Sequence, residues 1–167
     1  NPDANGNAWF VNQLVPVSSA NEEILKLKDF NSKTQAVVNT QEYPELTKLR
    51  YSVDSLARID LVDYRPNSIT YTTKNPNDGF VVFSEMHYPS GWHAFIDGKP
   101  QEHYRVDYAL RGMKVPAGQH KIEFRFEPEV VETGSQITLA ANILLGLIIF
   151  GGLGFTLFRG KKEEPHA

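Results

Sequence analysis

The chain has 167 residues, a formal charge of -3 and no cysteine. So balanced a charge, with no basic run outside the last few residues, excludes a nucleic-acid partner. The missing cysteines exclude a disulfide framework, a thiolate nucleophile and a Cys-based zinc site.

Residues 1–7 are turn formers, and Trp9, Phe10 and Val11 after them predict an entry strand. Ser18-Ser19-Ala20-Asn21-Glu22-Glu23 carries a capping residue and first-turn acids. With Ile24, Leu25, Leu27 and Phe30 as its apolar face, this predicts a short helix over about 21–28. Ala36-Val37-Val38 reads as a short strand, and 41–55, mostly polar with Pro44, as a loop.

From Ala57 the period changes to two. Segments 59–64, 68–73, 79–85, 91–96, 101–110 and 119–126 each read as strands, separated by Pro66-Asn67, Asn77-Asp78, Asp97-Gly98 and Ala117-Gly118. So many short strands in one run predict a mainly β domain, an antiparallel β-sandwich of jelly-roll or Ig-like type. In the last strand His120, Ile122, Phe124 and Phe126 share one face, and Lys121, Glu123 and Arg125 the other. Asp97-Gly98 has the composition of a type I′ hairpin turn, which needs positive φ at both positions.

Residues 137–158 read ITLAANILLGLIIFGGLGFTLF, with no charge between Glu132 and Arg159. At 1.5 Å per residue about 22 helical residues span roughly the 30 Å of a bilayer's hydrocarbon core. The alternative, a buried helix of a soluble core, rarely runs this long without a polar face. The chain therefore divides into a β domain over 1–133, one C-terminal transmembrane helix over 134–158 and a tail over 159–167. Arg159, Lys161 and Lys162 follow the span directly, and by the positive-inside bias the tail is cytoplasmic and the β domain extracytoplasmic. Gly146, Gly151, Gly152 and Gly154, with Ala140 and Ala141, leave room for other transmembrane helices to pack as partners beside membrane lipid. A domain outside must be translocated, by a cleaved signal peptide before Asn1 or by earlier helices of a longer polytopic protein.

Several stretches together resemble the C-terminal region of the YfhO-type bacterial membrane protein family. They are Gly6-Asn7-Ala8-Trp9-Phe10-Val11, Glu22-Glu23-Ile24, Phe83-Ser84-Glu85, Tyr88-Pro89, Gly91-Trp92, Ile96-Asp97-Gly98-Lys99, Tyr108-Ala109-Leu110-Arg111, Val115-Pro116-Ala117-Gly118-Gln119-His120 and Phe124-Arg125-Phe126-Glu127-Pro128. The resemblance implies a many-spanning protein of the bacterial inner membrane. It also implies an enzyme of glycosyltransferase C type that moves a sugar from a polyprenyl phosphate to an envelope glycopolymer or lipid. The acidic catalytic residue of such proteins is expected in their first extracytoplasmic loop, so no catalytic role is carried onto this chain.

His87, His103 and the other three histidines show no H-x-x-x-H spacing, and no metal site or other cofactor is expected. An acid pair such as Glu85 with Asp107 has nothing to fix its separation, and Ser84 lies in no nucleophile-elbow context. Tyr88, Trp92, Phe95, Tyr104 and Tyr108 either pack a core or stack on sugar rings. With 101–110 as one strand, parity buries Tyr104, Val106, Tyr108 and Leu110 and exposes Arg105, Asp107 and Arg111 together. That stripe is either a solvated, salt-bridged face or a site for a phosphate or carboxylate. The candidate ligand-binding residues are thus Arg105, Asp107, Arg111, Trp92 and Tyr88, facing a lipid-linked sugar or an envelope glycan. Two functions stay open: a non-catalytic accessory domain of a polytopic glycosyltransferase, or a membrane-anchored surface domain that binds or supports without any enzyme.

Overall fold

The computed structural model describes residues 4–160, except the side chains of 129–132 and 156–160. In chain order the elements are β1 (Ala8–Val11), β2 (Gln13–Val17), α1 (Ala20–Lys26), β3 (Gln35–Asn39), β4 (Arg58–Arg65), β5 (Ser68–Asn75) and β6 (Gly79–Met86). Then follow β7 (Trp92–Ile96), β8 (Lys99–Gln101), β9 (Tyr104–Val106), β10 (Leu110–Val115), β11 (Gly118–Phe126) and α2 (Glu129–Gly160). They form two compact units, one ending at Glu127 and one starting at Pro128.

The first unit is mainly antiparallel β. A five-stranded sheet, ordered β4-β5-β11-β7-β8, faces a four-stranded sheet, ordered β1-β6-β10-β9. Period-two alternation on β6 explains the layering. Val81 and Phe83 point into the core between the sheets, with Tyr71, Met113, Ile122 and Phe124. Phe80 and Val82 point the other way, into a second core with Leu14, Val38, Leu46 and Tyr104. That second core is closed by a short parallel pair, β2 with β3, and by the segment around Leu46 and Tyr51. The loop read from its polar composition thus lays two apolar side chains onto a sheet.

Asp97 and Gly98 have φ of 50° and 77°, and Ile96 pairs with Lys99 across them. This is the two-residue turn that the Asp-Gly pair predicts. Segment 101–110 is not one strand. It is cut between β9 and β10 by Asp107 and Tyr108, with φ of 49° and 70°, so the chain turns back on itself and Arg111 pairs with Arg105. Tyr104 and Val106 are buried as expected, Tyr108 is exposed, and Arg111 is buried.

The short helix α1 begins after Ser19, whose hydroxyl accepts from the Glu22 backbone N–H. Its anticipated apolar face is not what it buries. Ile24 and Leu25 are exposed, and the fully buried side chain is Glu23.

In the second unit α2 has 32 residues, beginning a few residues earlier than the apolar run alone suggests. Thr133–Phe155 is long and apolar enough to cross a membrane, and none of it is buried within the protein. The Thr138 hydroxyl donates to the Gly134 carbonyl at 2.8 Å, so this polar group is satisfied within the helix. Lys161 and Lys162 lie outside the described residues.

Candidate functional site

The five candidate residues fall into two groups that the turn at Asp107 and Tyr108 separates. Arg105 and Asp107 belong to a network that fastens α1 and β3 onto the β9–β10 turn. Glu23 accepts from Arg105 Nη1 at 2.9 Å and from the Tyr108 backbone N–H at 2.9 Å. Arg105 also pairs with Glu42 through Nη2 and donates to the Tyr108 carbonyl. The Asp107 carboxylate accepts from the Val37 N–H at 2.7 Å, while the Asp107 N–H donates to the Val37 carbonyl at 2.9 Å. Every one of these contacts is internal to the domain, so the exposed stripe of Arg105, Asp107 and Arg111 read from parity is corrected.

Burial, with the nearby Glu23 charge, pushes the Asp107 carboxyl up to about 6 against the lowering effect of the Val37 N–H. A folded pKa above the ordinary value contributes stability at low pH that is lost as pH rises through about 6. Asp107→Asn keeps an acceptor for Val37, tolerates the positive φ and removes the charge. Its melting temperature should therefore exceed that of the unmodified protein at pH 7.5, with the gap closing toward pH 4. Asp107→Ala, which leaves the Val37 N–H without its acceptor, should melt lower at both pH values.

Arg111 is the register partner of Arg105 across β9 and β10, but its side chain turns inward, beside Trp92 and Phe124. The register of β10 against β6 shifts between Leu110 and Arg111, and such irregularities re-aim side chains. Arg111 is only 2% exposed. Its Nε donates to the Met86 carbonyl at 2.8 Å, and its guanidinium carbon lies 4.5 Å from the Trp92 ring centroid and 5.0 Å from that of Phe124. Two aromatic faces thus solvate the cation in place of water. Arg111 Nη1 and the Tyr71 hydroxyl are both buried without a hydrogen-bond partner. Burial lowers the pKa of the guanidinium, and the charge of Glu85 works against that shift.

Trp92 joins this cation to an open groove of about 970 Å³, lined also by Tyr43, Phe95, His103 and Tyr104. Its charged lining is acidic: Glu45, Glu102 and Glu127. His103 Nε2 lies 3.0 Å from the Trp92 carbonyl, which makes Nε2 the protonated nitrogen, and its ring centroid is 4.9 Å from that of His87. Burial, then the neighbouring His103, holds His87 down to about 4, and burial also lowers His103, so both rings are neutral at pH 7. Tyr88 is half exposed on the turn before β7, where its carbonyl accepts the Trp92 N–H at 3.3 Å. Arg111 thus meets Trp92, whose N–H donates to the Tyr88 carbonyl, while the Arg105 guanidinium, although its backbone pairs with that of Arg111, is committed to Glu23 and Glu42.

Sequence reasoning missed the neighbours of Arg111. The phenol of Tyr71 sits in an alternating strand that reads as plain core, and Met86 contributes only its carbonyl. Among the described residues no group of three or more His, Asp or Glu is placed to hold a metal ion.

Comparison with known proteins places these features in context. The family model described as bacterial membrane protein YfhO matches residues 16–138. An uncharacterized protein YfhO of Bacillus subtilis (strain 168) is 26% identical over 87 residues, which are 52% of this chain and 10% of that relative. The matched part thus spans about a tenth of the length of this curated relative. No solved structure matches.

Proposed function

Because this chain belongs to the YfhO family of bacterial membrane proteins, we propose that it is the extracytoplasmic β domain and last membrane helix of a polytopic, glycosyltransferase-like member. In this reading the parent protein moves a sugar from a polyprenyl phosphate to an envelope glycopolymer or lipid. This segment shapes the acceptor or carrier site without supplying a catalytic group. The observation that carries the reading is a family match running from the β domain into an apolar helix with no buried residue in its span.

The placement of the acids supports a non-catalytic role. Glu23 is held by Arg105, Asp97 by His120, Asp107 by the Val37 N–H, and Glu123 by Lys121 and Arg125. Carboxylates committed to such pairs are poor candidates for general acid and base work on a glycosidic bond.

Within the domain, Arg111 with Trp92, rimmed by Tyr88, is the arrangement we assign to the lipid-linked sugar or glycan. A buried cation with an unpaired N–H destabilises a core, and an apolar side chain of similar volume is often neutral or better there. Arg111→Met should accordingly leave the melting temperature of the chain unchanged or raise it. In the full-length parent the same change should reduce sugar transfer severalfold at equal expression. Full transfer by the Arg111→Met parent would overturn the assignment, and unfolding would show that Arg111 is structural.

A further inference from the structure

One end of the β-sandwich gathers exposed apolar side chains. The pairs Arg65 with Ser68, Met86 with Leu110 and Trp92 with Phe126 bring the ends of β4, β6 and β11 beside the starts of β5, β10 and β7. Around this rim Tyr64 is 60% exposed, Met86 70% and Tyr88 51%. All three lie about Arg111. Met86 gives it a carbonyl, Trp92, beneath the guanidinium, donates to the Tyr88 carbonyl, and the Tyr64 hydroxyl acts on its charge.

The chain leaves the sandwich at this same rim. The Phe126 N–H donates to the Asn67 carbonyl at 3.0 Å and the Glu127 N–H to the Gly91 carbonyl at 2.7 Å, and α2 begins at Glu129. From Glu127 to Thr133, the first residue of the apolar span, the path is two extended residues and about one helical turn, roughly 13 Å.

We infer that this rim is a docking surface for the interface of a lipid bilayer, with Tyr64, Met86 and Tyr88 seated among zwitterionic headgroups. Tyrosine suits that layer because its ring is apolar and its hydroxyl wet, and methionine adapts to an irregular surface. The short tether favours lipid over a distant partner. A headgroup layer is about 6 Å deep on each side of the hydrocarbon, so a rim on about 13 Å of chain is within its reach.

Size argues against a second copy as occupant. Three side chains of this kind, about half exposed, offer roughly 350 Å², whereas a stable dimer buries about 800 Å² on each partner. Charge decides the lipid class. Arg65 is paired with Asp63 at 2.8 Å, and Glu85 and Glu127 add acids, so among the described residues the rim has no basic cluster to attract an anionic surface. The inference rests on α2 crossing a membrane and stands whether or not the parent transfers a sugar.

The test uses the whole chain in phosphatidylcholine nanodiscs, with one spin label at a time on cysteine at position 64, 86, 88 or 99. Lys99 is exposed in the turn region at the other end of the sandwich. All four positions tolerate substitution because they are exposed. Labels at 64, 86 and 88 should show a severalfold higher ratio of oxygen to nickel-chelate collision than the label at 99, unchanged in 0.5 M salt. Nickel accessibility equal to that at 99 would overturn the inference. Shielding from both probes would overturn it in favour of a protein partner, and loss of depth in salt would overturn the zwitterionic assignment.

Discussion

Replacing Glu23 with alanine should lower the stability of the β domain by about 3 kcal/mol, the lower end of the cost of removing one partner from a buried ion pair. Glu23 is fully buried and serves two groups, the Arg105 guanidinium and the Tyr108 N–H. Tyr108 is a bulky residue at φ 70°, uncommon for a side chain of that size, and Glu23 helps to hold it there. Arg105 keeps Glu42 when Glu23 is lost, which places the effect at the lower end of the range. Glu23→Gln keeps one acceptor for Tyr108 and should cost less. Urea unfolding followed by circular dichroism would measure both, and a loss under about 1 kcal/mol for the alanine variant would remove the buried pair as the anchor of α1.

Gly112→Val should be at least as damaging, about 3 kcal/mol, the upper end of ordinary overpacking. A Cβ on Gly112 would meet Phe80 Cε1 at 2.6 Å and Val106 Cγ1 at 2.9 Å. Neither neighbour has room to retreat: both are fully buried, and Phe80 is flanked by the rings of Tyr51 and Tyr104. Valine has the higher strand propensity, so local preference alone predicts a gain here. Phe80→Leu in the Gly112→Val background should restore part of the loss, with a coupling of at least about 1 kcal/mol. Additive effects would mean that the strain lies elsewhere.

The strands with strict alternation were legible from residues alone. β11 places Ile122 and Phe124 in the core and Lys121 outside, and Asp97-Gly98 forms its turn, because period-two burial and positive φ are local properties. The apolar span of α2 was legible for the same reason. β10 was hidden: Leu110-Arg111-Gly112-Met113-Lys114-Val115 carries two cations and a glycine, and its burial on both faces comes from neighbours far away in sequence.

The candidate residues could be named from the sequence, but their geometry could not. Parity counted through Asp107 and Tyr108 makes one exposed strand of what is a hairpin, in which Arg111 pairs with Arg105 across the turn and is buried against Trp92 and Phe124. Nothing in Asp107-Tyr108 announces that turn, since tyrosine rarely adopts it. What holds the turn is Glu23, 85 residues away from Tyr108, together with Val37. Likewise α1 reads as an amphipathic helix held by Ile24 and Leu25, yet its buried contact is a carboxylate whose partners belong to another element.

We propose that the β domain lies outside the cytoplasmic membrane and the tail after α2 inside it. Single cysteines in place of Lys99 and His166 test it directly, in a full-length parent freed of any cysteine outside this chain, which has none of its own. A membrane-impermeant maleimide added to intact spheroplasts should label position 99 at once and position 166 only after permeabilisation. Labelling of 166 with protection of 99 would contradict this topology.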